Sequence, residues 1–194
     1  MKIDEAENFD ANVQMMQIIV GALTAGVVVF GVLVLTILDG GNRPAAANQP
    51  TILGLPLLTA LALGFGVITL VASFVVPRLM VEGGLRAIAG GSTTDETKLT
   101  ETGERQVYPA NDVGRLLPLY QTQLIVASAL NEGGAFFGLL AYLIEGNPAA
   151  LATAGVLVAV LLSRFPVADR VRGWLDAHLE RLAELRRDEF STGP

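Results

Sequence analysis

The 194-residue chain is 52% hydrophobic and only 16% charged, where a soluble domain usually carries about 25% charged residues, so a water-dissolved globule is nearly excluded. Its formal charge of −6 leaves no basic face for nucleic acid. There is no cysteine and a single histidine, His178; this excludes disulfide scaffolds, thiol chemistry, iron–sulfur clusters and cysteine–zinc centres, and neither a metal nor another cofactor is expected.

In chain order, residues 1–12 form a polar N-terminal segment. Its acidic character, and the lack of a small-residue cleavage site after the run that follows, argue for a retained span over a removable signal peptide. That run, Val13 to Leu38, is the first expected membrane helix. The second, Thr51 to Val76, lies inside a stretch from Pro44 to Pro77 without Lys, Arg, Asp or Glu. Each is longer than the roughly 20 apolar residues that cross a bilayer. The sequence Asp39-Gly40-Gly41-Asn42-Arg43-Pro44 turns the chain between them, making residues 13–77 a first hairpin.

Residues 78–115 are expected to be a polar cytoplasmic connector. Its centre, GGSTTDETKLTETGERQ, is rich in threonine, glycine and charge, which argues against a core of its own, and MVEGGLRAIAG before it reads as a short interfacial helix. The hydroxyls from Ser92 to Thr102 could accept phosphate, although a solvated linker is the commoner role of such a stretch. Residues 116–165 are the second hairpin, with a third span from Thr122 to Ile144, a turn at Glu145-Gly146-Asn147-Pro148, and a fourth span from Ala149 to Ser163. The uncharged stretch around the fourth, Gly146 to Ser163, has only 18 residues, at the short end of the usual range.

The tail, residues 166–194, changes to helical periodicity. Ala168, Val171, Leu175, His178, Leu182 and Leu185 form one apolar stripe opposite charged residues, with Pro166 just before the helix start. Its mixed charge favours packing against protein over attraction to a lipid surface.

Positive charge sets the threading, because Lys and Arg near span ends stay in the cytoplasm. The two termini and the connector together hold 12 of the 13 basic residues, leaving Arg43 alone on the other side. The expected fold is therefore all-α: a four-helix transmembrane bundle of two hairpins plus a C-terminal cytoplasmic amphipathic helix. The expected location is the bacterial inner membrane, with both termini cytoplasmic, an arrangement that requires an even number of spans. An ungapped match of Gln17–Gly40 to Gln123–Gly146, with an acid before glycine at both ends, suggests a parallel internal repeat.

One ionisable residue, Glu132, lies in the middle of a span. A carboxyl there is costly, by about 2.5 kcal/mol or more, and needs a reason. It could exchange a proton or hold a small cation; alternatively it could be structural, bonded to Asn131, Thr24 or Ser128 and joining helices. Gly133 and Gly134 follow it, and small residues four apart at Gly134/Gly138, Gly21/Ala25 and Ala62/Gly66 are expected to let helices approach closely. Asp39 and Glu145 read as turn-forming helix ends, Trp174 and Tyr142 as interfacial anchors. Neither the Ser/His nor the paired-Asp set needed for intramembrane proteolysis is present at membrane depth.

The segment ALNEGGAFFGLLAYLI, Ala129 to Ile144, resembles the ion-carrying helix of the proteolipid c subunits of rotary ATP synthases, in which a Glu precedes an aromatic-Gly-Leu element. The resemblance implies an ion-binding role for Glu132, with Phe137-Gly138-Leu139 as the following element. The chain departs from that family in its long connector, in carrying the acid on the first helix of the second hairpin, and in its amphipathic tail. It also resembles small bacterial four-span membrane proteins with a similar Leu-x-Glu-Gly-Ala-Phe-Phe segment and a proline after the last span, which implies no activity. The expected function is non-enzymatic: a scaffold or accessory subunit in the lipid bilayer that packs with itself or another membrane protein. The alternative is a proton- or cation-handling subunit using Glu132.

Overall fold

A computed structural model describes residues 9–39, 50–52, 54–90 and 112–191. Apart from one two-strand ladder, these residues are helical: α1 (Phe9–Asp39), β1 (Thr51–Ile52), β2 (Leu55–Pro56), α2 (Leu57–Ala89), α3 (Asp112–Glu145), α4 (Pro148–Ser163) and α5 (Ala168–Ser191). The expected all-α class holds. Among the described residues α1, α2 and α3 are each long and apolar enough to cross a membrane, and α4 qualifies only if counted together with α5 across a short break. Sixteen residues of α4 rise about 24 Å, less than the roughly 30 Å hydrocarbon layer.

Three boundaries differ from the sequence reading. The second apolar helix begins at Leu57, not Thr51, because Thr51↔Pro56 and Ile52↔Leu55 pair antiparallel and Gly54 turns the chain at φ +78°. Leu55, preceding a proline, is biased to extended backbone, so helix starts only beyond Pro56. Second, α2 continues through Pro77 to Ala89, so Met80 to Gly90 is the end of this long helix instead of a separate interfacial one. Third, α3 starts at Asp112, ten residues before the expected span, so both flanks of the connector are helical. The centre of the connector, including Ser92 to Thr102, lies outside the described residues, as do Gly40 and the first interhelical turn.

The turn at Glu145–Pro148 is built as its sequence suggests. Gly146, at φ +68°, closes α3 with its N–H donating to the Tyr142 carbonyl (2.7 Å), a left-handed conformation that glycine adopts without penalty. The Asn147 side chain accepts from the Ala149 N–H (2.9 Å), capping α4, and Pro148 fills its first position.

The chain divides into two compact units. One takes residues 1–16, 78–123 and 166–194; the other takes 17–77 and 124–165. The first has its own core of Phe9, Met16, Leu85, Leu116, Tyr120, Val171, Leu175 and Leu182, all buried. The described flanks of the connector thus contribute buried residues to the same unit as the apolar stripe of α5, while the centre, for which no core is expected, lies outside the described residues. In the second unit Val27, Val34 and Leu38 of α1 meet Ala135 and Leu139 of α3 and Ala154 and Leu157 of α4, while Ala62 of α2 meets Ala141 and Ala150. Half of the apolar window of α3 is buried within the chain, against 17% for α1 and 28% for α2, so α3 is the central helix. The outer faces of α1 and α2 present Ile18, Val29, Val67 and Ile68, each at least 60% exposed. Such continuous apolar exposure suits hydrocarbon and would be an aggregation surface in water.

Candidate functional site in the third helix

The middle of α3 carries Ser128, Asn131 and Glu132 within about one turn. Ser128 and Asn131 are completely buried, yet the Ser128 hydroxyl and both polar atoms of the Asn131 amide have no hydrogen-bond partner. Glu132 is half-buried and turned towards α1: a Cβ placed on Gly26 would lie 3.8 Å from the Glu132 Oε1 and 3.8 Å from the Phe136 ring. No described residue donates a hydrogen bond to its carboxyl. The bonds expected from Asn131, Ser128 and Thr24 are not made, and the Thr24 hydroxyl instead donates to its own helix at the Val20 carbonyl (2.8 Å). Three polar side chains with free lone pairs therefore share one stretch of an apolar helix.

The small residues singled out by spacing separate into two sets. Gly134 and Gly138 are consumed inside the chain. A Cβ on Gly134 would lie 2.5 Å from the Thr69 Oγ1 and 2.8 Å from the Leu157 Cδ1, and one on Gly138 would lie 3.0 Å from the Ala150 carbonyl oxygen. Gly21 and Gly133, by contrast, face open space, and Ala25 is exposed. Ala62 is fully buried, and Gly66 lies against Thr153.

Glu145 has a role that spacing alone did not show. It is buried at 8% exposure, and its carboxylate accepts from the Leu58 N–H (2.8 Å), the Thr59 N–H (2.7 Å) and the Thr59 hydroxyl (2.6 Å). The last residue of α3 thus caps the first turn of α2, where unpaired N–H groups and the positive end of the helix dipole favour an anion. The available signal was its awkward place at the negative end of its own helix.

Sequence reading also missed Arg164. Pro77 has no N–H, so the Ser73 carbonyl four residues earlier has no partner in α2. Arg164 donates to that carbonyl (2.7 Å) and to the Ser73 hydroxyl (3.2 Å), with its guanidinium 4.2 Å over the Phe74 ring. The signal was a proline four residues beyond a serine at the end of an apolar run.

In the first unit, Trp174 stacks on His178 at 3.8 Å and packs against Tyr120 at 5.0 Å. The His178 Nδ1 lies 2.7 Å from the Trp174 carbonyl oxygen, so this nitrogen carries the proton and donates. Arg186 and Asp112 form a two-pronged ion pair at 2.8 Å for each bond, which holds the Asp112 carboxyl below, and the Arg186 guanidinium above, its ordinary pKa. Tyr142 packs half-buried among the α-helical cores of the second unit. Among the described residues no group of three or more His, Cys, Asp or Glu is placed to hold a metal ion. Protein-family models, characterised proteins and solved structures contain no match to this chain.

Proposed function

We propose that this chain is a non-enzymatic subunit of the bacterial cytoplasmic membrane that crosses it four times, with both ends inside, and associates with a second membrane-embedded chain. The partner is a further copy of itself or another membrane protein. The contact runs along the side of α1 and α3 that bears Ala25, Gly133 and Glu132. The basic residues clustered in the termini and connector support the orientation, and the even number of spans this demands supports counting α4 as a short crossing.

The observation that carries the reading is the Glu132 carboxyl, without a hydrogen-bond partner among the described residues, beside the open Gly133, while Gly134 and Gly138 are already filled by the chain's own helices. A half-exposed carboxyl at that depth is tolerated when another helix brings a donor and covers it, and small residues allow such an approach. The decisive measurement is the mass of the protein in detergent or nanodiscs. The wild type is expected to be larger than one chain, Gly133→Leu to dissociate it, and Glu132→Gln to weaken it. A wild-type mass of one 20.4 kDa chain would overturn the proposal.

A second reading, proton or cation handling by Glu132, is favoured by the free hydroxyl and amide of Ser128 and Asn131 next to it and by the local resemblance to proteolipid c subunits. If Glu132→Gln leaves the assembly intact and abolishes ion flux or reaction with a carboxyl reagent, this reading replaces the first.

A further inference from the structure

The first unit contains a cavity of about 570 Å³ between two helix faces. One face brings Arg78, Glu82 and Arg86 from α2, the other Trp174, His178 and Arg181 from α5. Their spacing of three and four residues places each set on one side of its helix. Val81 and Leu85, both buried, add apolar lining to the cavity, and Gln123 of α3 lines it too.

Three guanidinium groups against one carboxylate is an unusual balance in a chain of net charge −6. Arg181 is engaged with Glu184 at 2.9 Å, an exposed pair of little energetic weight. Arg78 and Arg86 form no ion pair among the described residues. Gln123, which also lines the cavity, has a buried Oε1 with no donor among the described residues. Guanidinium groups match phosphate oxygens, whereas the amide oxygen needs a hydroxyl or ammonium group brought by the ligand.

We infer that this cavity binds a phosphate ester carrying a neighbouring hydroxyl or amine, with Arg78 and Arg86 on the phosphate and Gln123 on the adjoining donor. The same chemistry is offered by the headgroup of an anionic phosphoglycerol lipid and by a free glycerol phosphate. Arg78 is the first charge after the uncharged run from Pro44 to Pro77, which puts the cavity at headgroup depth, where basic pockets take anionic lipids. The assignment to a lipid rests on the membrane reading proposed above; the assignment to a phosphate does not.

Trp174 is the only tryptophan, so the tryptophan emission comes from a single ring that lines this cavity. The full chain in a neutral detergent, held at one pH, is titrated with short-chain phosphatidylglycerol, with phosphatidylcholine of the same chains, and with glycerol phosphate. Phosphatidylglycerol is expected to give a saturable change in emission. Its apparent affinity should fall about tenfold or more in Arg78→Gln/Arg86→Gln and stay unchanged in Arg115→Gln/Arg187→Gln, which removes equal charge outside the cavity. Both cavity arginines are exposed, so their replacement leaves the cores intact. Saturation by glycerol phosphate at similar concentration assigns a soluble ligand; a response that requires acyl chains assigns the lipid. Absence of saturation by either phosphate ester, an equal response to phosphatidylcholine, or an unchanged affinity in the cavity variant overturns the inference. The assembly mass is a separate readout, so failure here is distinguishable from failure of the proposed association.

Discussion

At the scale of single residues, the close approach at Gly134 is among the tightest contacts in the second unit. A methyl group there meets the Leu157 side chain and the Thr69 hydroxyl, which donates to the Gly66 carbonyl, so both must shift at once. Gly134→Ala is therefore expected to cost about 1–3 kcal/mol of stability, the usual range for overpacking a filled site. Gly133→Ala, facing open space, is expected to leave the isolated chain unaffected; unfolding in mixed micelles compares the two. The Asp112–Arg186 pair makes a pH-dependent contribution. Because the folded state lowers the Asp112 pKa, the pair stabilises above the ordinary aspartate value of about 3.9 and its contribution is lost as pH falls through the lower folded value. Both side chains are about one-third exposed, so the effect is small, about 0–1 kcal/mol. The wild type should melt above Asp112→Asn at pH 6, and the gap should narrow as the pH falls below the ordinary aspartate range. The existence of a costly carboxyl at position 132 was legible in the sequence, because its price of burial follows from depth alone. Its lack of an internal partner was not, since that depends on which way the helix is rotated.

Between elements, two polar contacts fasten helices whose apolar surfaces carry little directional information. Glu145 at the end of α3 satisfies the start of α2, so Glu145→Ala leaves two backbone N–H groups and a hydroxyl without their acceptor. Each buried unsatisfied group costs about 1–3 kcal/mol, and a clear loss of thermal stability is expected, with Glu145→Gln intermediate. Arg164 joins the end of α4 to the proline-interrupted turn of α2. Arg164→Met should destabilise by a similar amount. Replacing Pro77 by alanine restores an N–H for the Ser73 carbonyl, so the Arg164→Met penalty should shrink in a Pro77→Ala background; a double-mutant cycle measures the difference. An equal penalty in both backgrounds would show that the proline-freed carbonyl is not what Arg164 serves. The Glu145 and Arg164 contacts escaped sequence reading for one reason: each partner lies more than 80 residues away.

On the scale of the whole molecule, the absence of native cysteine allows topology to be tested with single introduced thiols. In intact cells a cysteine at Asn42 is expected to react with an impermeant reagent, and cysteines at Thr97 and Thr192 only after lysis. Labelling of Thr192→Cys from outside would mean that α4 does not cross and that an odd number of helices spans the membrane. The division of the described chain into two units also belongs to this scale. Periodicity revealed that the tail was amphipathic, and the prediction that it would pack on protein fits its buried Val171, Leu175 and Leu182. That the start of α1, the end of α2 and the start of α3 would join it in one core was hidden, because each of these stretches looks like the frayed end of an apolar helix.

By itself the sequence determined that this chain has long apolar helices with charge, Glu132 apart, confined to their ends, because solvation by hydrocarbon is read residue by residue along one dimension. Only the tertiary structure decided that Gly134 and Gly138 face inward and Gly133 outward, that Glu145 and Arg164 clasp α2, and that three arginines share a cavity with the sole tryptophan. A helix that is apolar on every side has no preferred face in its sequence. Its rotation is set by the shapes of its neighbours, and with it the position of every polar group it carries.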